Sequence, residues 1–173
     1  MTKIELSTHI NAPIERCFDL ARSIELYTNP YPAHEGPQAK QPEARTGVLE
    51  PGQRIQRQFT YLGAQHNIET EITRCSRPYF FSEEMKAGPL HTFVHDHFFY
   101  GFPGETIMID NVYFRSPWGV LGETADTLLL KRYITRLLKK RNQIIKHYVE
   151  TGKWQMIIPS PEVVVEEAVS IQA

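Results

Sequence analysis

Apolar and polar positions alternate at the start of the chain, with Ile4, Leu6, Thr8 and Ile10 on one side, and this period of two predicts a half-buried strand. Asn11-Ala12-Pro13 breaks the alternation; Pro13 suits a first helical turn, with Asn11 or Ala12 before it. Ile14, Cys17, Phe18 and Ala21 then recur at helical spacing, and Leu20 and Ile24 extend that face, so short helices follow the strand. From Asn29 to Gly52 the prolines at 30, 32, 37, 42 and 51 and the glycines at 36, 47 and 52 exclude a long regular element. Such a loop either connects or gates a pocket.

The period of two then returns. Ile55, Arg57, Phe59 and Tyr61 share one strand face; Leu62-Gly63-Ala64 turns the chain through Ile68, Thr70 and Ile72 to a stop at Arg77-Pro78. Tyr79 to Met85, Leu90 to Tyr100 and Thr106 to Phe114 read as further strands, separated by Gly88-Pro89 and Phe102-Pro103-Gly104-Glu105. These five strands form an antiparallel meander. Ser116-Pro117 is a helix-start signal, and the apolar stripe Leu121, Ala125, Leu128, Leu130, Ile134, Leu137, Leu138, Ile144, Ile145 and Tyr148 runs to the stop at Thr151-Gly152.

Composition narrows the function more than the fold. A chain of 173 residues forms one domain with a sizeable core. Its 19 basic and 20 acidic residues give a net charge of -1, so no overall basic field draws it to nucleic acid. Cys17 and Cys75 are too few for a disulfide scaffold and sit in apolar patterns, which suits a reducing compartment. The first residues carry no charged head followed by an apolar run, and no apolar stretch is long enough to cross a bilayer; the expected location is cytoplasmic, without stable membrane association. The basic residues Lys131, Arg132, Arg136, Lys139, Lys140 and Lys146 lie outside the helical stripe and read as a solvated face, while Arg141 falls closer to the stripe. There is no GxSxG elbow, no GxGxxG after the first strand and no Walker loop, so covalent and nucleotide-driven catalysis are not expected.

The order of elements and the segments HINAPIERCFDLARSI, Arg77-Pro78-Tyr-Phe-Phe81, GPLHTFVHDHFF, Glu105-Thr106-Ile-Met-Ile-Asp110, SPWGVLG and LLKKRNQIIK resemble the START-like superfamily (SRPBCC, Bet v 1-like) over residues 3–152, nearest its bacterial polyketide cyclase/dehydrase-like ligand-binding branch. The resemblance implies an α+β helix-grip fold: a curved antiparallel sheet wrapped around a long C-terminal helix, with two short helices after the first strand. It divides the chain into a ligand-binding domain, 1–152, and a C-terminal extension, 153–173, which covers an apolar patch, pairs with a second copy in a homodimer, or is disordered. The implied cavity lies between helix and sheet and takes a small hydrophobic, aromatic or lipid-like molecule, with Arg57, Phe59, Tyr61, Phe81, Glu83, Met85, Phe93, Met108, Leu137 and Arg141 as candidate ligand-binding residues. Arg57 could pair with a ligand carboxylate or run its stem over apolar surface at the rim; Glu83 points either into the pocket or outward.

His91, Phe93, His95, His97 and Phe99 fall on one strand face, and Thr92, Val94, Asp96, Phe98 and Tyr100 on the other. Both faces carry aromatics, so periodicity leaves open which looks inward. If the histidines do, His95, His97 and Asp110 form a His/carboxylate cluster able to serve cofactor-free proton transfer in a cyclase or dehydratase; otherwise they are ordinary sheet histidines. His-x-His also presents two imidazoles to one ion, with Asp110, Glu83 or His91 as third-ligand candidates, but the spacing alone is not a site and no metal or cofactor is expected. A protein-binding adaptor is the remaining class.

Overall fold

The computed structural model describes residues 1–28, 38–39, 47–61, 64–115 and 125–158. Strand β1 (Thr2–Ile10) is followed by helices α1 (Ile14–Ala21) and α2 (Ile24–Thr28), strands β2 (Gln38–Ala39), β3 (Arg54–Tyr61), β4 (Ala64–Ser76), β5 (Phe80–Ala87), β6 (Thr92–Phe102) and β7 (Glu105–Arg115), helix α3 (Ala125–Glu150) and a 3₁₀ turn, Lys153–Met156. The strands form one antiparallel sheet in the order β1-β7-β6-β5-β4-β3-β2, six long strands and the two-residue β2. β3 to β7 are the meander that the alternation predicts. β1 closes the other edge by pairing along β7 from Thr2 opposite Phe114 to Ile10 opposite Thr106. With the long helix against one face of the curved sheet, this is the helix-grip α+β arrangement.

Local chemistry explains the boundaries. Pro13 takes the cap position of α1, one residue earlier than the first-turn place its sequence suggests, and its carbonyl receives the Arg16 and Cys17 amides at 3.1 and 3.3 Å. The β6–β7 turn needs Pro103-Gly104, because Gly104 has a φ of 76°, which a side chain would resist. The helix ends at Glu150, and Gly152 adopts a left-handed φ of 74°, the stop expected at Thr151-Gly152. The expected helix start at Ser116-Pro117 lies outside the described residues, as do residues 159–173 of the extension 153–173, for which a homodimer contact is one expectation.

Among the described residues the core consists of two apolar clusters. One joins α1, the sheet and the C-terminal end of α3 through Phe18, Phe81, Phe99, Met108 and Ile145; the other joins β1, β7 and the front of α3 through Ile4, Val112, Phe114, Leu130, Ile134 and Leu138. Phe18 meets Phe81 and Phe99 edge-on, with ring centroids 5.7 and 5.3 Å apart, a favoured aromatic geometry. Just beyond residue 152, Trp154 stacks under the Arg16 guanidinium at 3.7 Å and Ile157 is buried in the first cluster. No helix among the described residues is long and apolar enough to cross a membrane.

Candidate functional site

Between the two apolar clusters runs a belt of buried polar side chains, set by strand register. Along β6, Phe99 belongs to the first cluster, His97 and His95 come next, and Phe93 touches the second. Along β7 the matching order is Met108, Asp110, Val112, and along α3 it is Ile145, Asn142, Leu138. The histidine face of β6 is therefore the inward one: His95 is 4% exposed and His97 fully buried. Ladder pairing sets Glu83 opposite His95 and His97 opposite both Phe81 and Asp110.

Contacts join the belt from strand to strand. Arg57 on β3 forms an ion pair with Glu83 on β5 and donates to Thr70 Oγ1 at 3.0 Å. His95 Nε2 lies 2.8 Å from Asp110 Oδ1, and Asn142 Nδ2 donates to Asp110 Oδ2 at 2.6 Å and to Thr8 Oγ1 at 3.0 Å. His97 Nδ1 also comes within 2.7 Å of Asp110 Oδ1, but off the line of a hydrogen bond, so the contact is electrostatic rather than a directed bond. His97 Nε2 is buried with no hydrogen-bond partner among the described residues. Its ring is stacked on Phe81 at a centroid distance of 4.0 Å, while the His95 and His97 rings are 3.7 Å apart.

These surroundings fix protonation. Burial opposes the charge of Glu83, but Arg57, His95 and the Thr70 hydroxyl outweigh it and hold the carboxyl at about 2. Burial likewise opposes ionisation of Asp110, and its histidine contacts overcome this and keep the group well below the usual carboxylate range. Burial, reinforced by His95, pushes His97 down to about 3, with Asp110 only partly opposing, so the imidazole is neutral. An ionised Asp110 can only accept, so the His95 Nε2 that faces it at 2.8 Å is the donor of that bond.

The other candidates divide. Phe81 and Met108 are packed inside the first cluster; Met85 and Phe93 face inward but are half-buried, Phe93 meeting the His95 ring edge-on. Leu137 is half-buried on α3. Arg141 donates from Nη2 to the Ala21 carbonyl at 2.6 Å, tying α3 to the end of α1. Phe59 and Tyr61 belong to β3, with side chains outside the described residues. His91 is exposed and away from the cluster. Cys17 is buried and its thiol is pushed up to about 11, chiefly by burial, so it is no nucleophile. The basic residues Lys131, Arg132, Arg136 and Lys139 line an open groove on the solvent side of α3.

Sequence reasoning missed Asn142 and the hydroxyls of Thr8 and Thr70. Asn142 had a legible signal: four residues after Leu138 and three before Ile145, it occupies the apolar stripe of α3. A short polar side chain in such a stripe needs a partner across the interface. Thr8 lies on the predicted inward face of β1.

No protein-family model matches the chain, and no curated protein matches it. Solved structures do match. A START superfamily protein from Mycobacterium smegmatis aligns with a TM-score of 0.63 at 11% identity, covering 87% of this chain and 98% of that one. Ara h 8.0201 aligns with a TM-score of 0.60 at 11% identity, over 87% and 98% of the two chains. The major latex-like protein 151 of Panax ginseng aligns with a TM-score of 0.59 at 10% identity, over 86% and 97%. The chain has a START/Bet v 1-like fold.

Proposed function

We propose that this protein binds a small molecule with an apolar body and one polar group, held between α3 and the concave face of the sheet with its polar group against the belt. The observation that carries this reading is the belt itself, buried between two apolar clusters and containing a neutral His97 whose Nε2 has no partner among the described residues. A buried polar group without a partner asks for one, and a carbonyl, hydroxyl or carboxyl on a bound molecule would supply it. Met85 and Phe93, half-buried beside the belt, provide apolar surface for the rest of the ligand. The helix-grip fold, which the family resemblance associates with a cavity between helix and sheet, supports the same location.

Proton transfer is the second reading, favoured by one contact: His95 Nε2 and an ionised Asp110 at 2.8 Å. That pairing orients Nδ1 of His95 as a base, whereas His97, held near 3, cannot serve as an acid at neutral pH.

Native mass spectrometry of the protein purified from its own host, followed by extraction and identification of any bound molecule, tests the binding reading. The expected result is a stoichiometric co-purifying compound, lost or weakened in Phe93→Ala. Empty protein that also fails to bind apolar fluorophores would sink it. The catalytic reading fails if His95→Ala leaves turnover of the identified compound unchanged.

A further inference from the structure

We infer that Glu83, His95 and His97 form a site for one divalent transition-metal ion of the zinc class, with Asp110 behind them, hydrogen-bonded to His95 and in electrostatic contact with His97. The inference does not rest on the small-molecule reading above.

Glu83 stands directly opposite His95 in the β5–β6 ladder, and His97 follows two residues along the same face. One donor atom from each lies within 4.8 Å of the others, and the three residues are 2%, 4% and 0% exposed. Metal–ligand bonds of about 2.0–2.2 Å put tetrahedral donors roughly 3.4 Å apart, so closing on an ion requires movements of about an ångström, within side-chain adjustment.

Asp110 accepts the hydrogen bond from His95 Nε2, so Nδ1 is the nitrogen left to coordinate. His97 Nε2 is fully buried and has no hydrogen-bond partner among the described residues, a position that an ion would explain. Arg57 pairs with Glu83 Oε1 and so holds the carboxylate in place beside the two imidazoles. Behind the donors, a carboxylate bonded to a ligating imidazole is the usual orienting arrangement of such centres, and Asn142 in turn fixes the second oxygen of Asp110 at 2.6 Å. Two imidazoles and one carboxylate favour zinc, cobalt or ferrous iron over magnesium and calcium, and three protein ligands leave a position open for water or for the polar group of a bound molecule.

The test uses the full-length protein, stripped with a chelator, with cobalt(II) as a visible probe and zinc(II) in calorimetry. Because the donors are buried, loading is done both on the folded protein and during refolding from urea. The expected result is one equivalent bound, ligand-field absorption of a low-symmetry cobalt centre, and a rise in melting temperature with metal concentration. His97→Phe and Glu83→Gln, each near-isosteric and checked by circular dichroism, should weaken zinc binding at least ~100-fold, and Asp110→Asn ~10–100-fold, the range for loss of an orienting partner. Wild-type protein that takes up no stoichiometric cobalt or zinc by either route overturns the proposal. So does binding that is unchanged in whichever of the first two variants folds, since that places the ion on surface histidines such as His9 or His147. Neither failure touches the small-molecule reading, which is decided by extraction from metal-free protein.

Discussion

If the belt is one network, Asp110 is its keystone and its removal should be costly in a specific way. The carboxylate is fully buried and receives His95 Nε2 and Asn142 Nδ2 at 2.8 and 2.6 Å, with His97 Nδ1 at 2.7 Å. Asp110→Ala leaves the His95 N–H and the Asn142 amide without their charged acceptor; at about 1.5–3 kcal/mol for each such bond, less what is regained by no longer burying the carboxylate, the cost is about 3–5 kcal/mol. In a chain of this size each kcal/mol lowers the melting temperature by about 2–4 °C, so the expected drop is roughly 6–20 °C. Asn142→Ala removes the charge-assisted bond to Asp110 and the neutral bond to Thr8 and should cost about 2–4 kcal/mol.

The decisive quantity is the coupling. In the double variant the 2.6 Å bond between Asp110 and Asn142 is lost only once, so the two single effects should overshoot the double by about 1.5–3 kcal/mol. Urea unfolding at neutral pH, with the slope against denaturant unchanged among variants, measures all three. Should Asp110→Ala prove too unstable to assay, Asp110→Asn combined with Asn142→Asp exchanges charge and amide across the same contact and should recover part of the loss from Asp110→Asn alone. Additive effects within 0.5 kcal/mol (about the error of such cycles), together with no recovery in the exchange, would mean that these residues are neighbours and not a network.

Other outcomes follow from the same geometry. His97 is held near 3 in the folded protein against about 6.5 when unfolded, so the unfolded chain takes up the proton first; stability is present above about 6.5 and lost as pH falls toward 3, and thermal melts should show that limb flattened in His97→Phe. Overlapping its lower part, a further loss is expected as pH drops from about 4.5 through the value near 2 of Glu83, whose ionised form Arg57 stabilises; an acid limb unaltered in Glu83→Gln would contradict this. At pH 8 a disulfide reagent should modify Cys75, which is partly exposed, well before Cys17, which should react only on unfolding. Ile157→Ala should cost about 2–4 kcal/mol because the side chain is 4% exposed in the main cluster; a loss below 0.5 kcal/mol would put residues 153–158 outside the domain's core.

Strand order and helix position were legible because each rests on local periodicity: alternation in β3 to β7, spacings of three and four in α3, and turn residues at the joints. What the sequence left open was the direction in which β6 faces, and the reason is visible in its two sides. Phe93 and Phe99 lie on the histidine side, while Phe98 on the other meets Phe80 at 5.0 Å, so each face offers two or more aromatic rings and neither has the larger apolar claim. The choice is made by partners far away in the chain. Phe99 packs on Phe18 from α1, and Asp110, directly across from His97, is met by Asn142 from α3. A slip of one residue in β6 would reverse both arrangements at once, turning the histidines to solvent and leaving Asp110 buried without their donors. The belt is therefore a register lock as well as a candidate site. A catalytic or metal role would need only His95, His97 and a carboxylate; the additional involvement of Asn142 and Thr8 fits a network that also fixes α3 against β1, which is why the coupling between Asp110 and Asn142 is the measurement that tells the two demands apart.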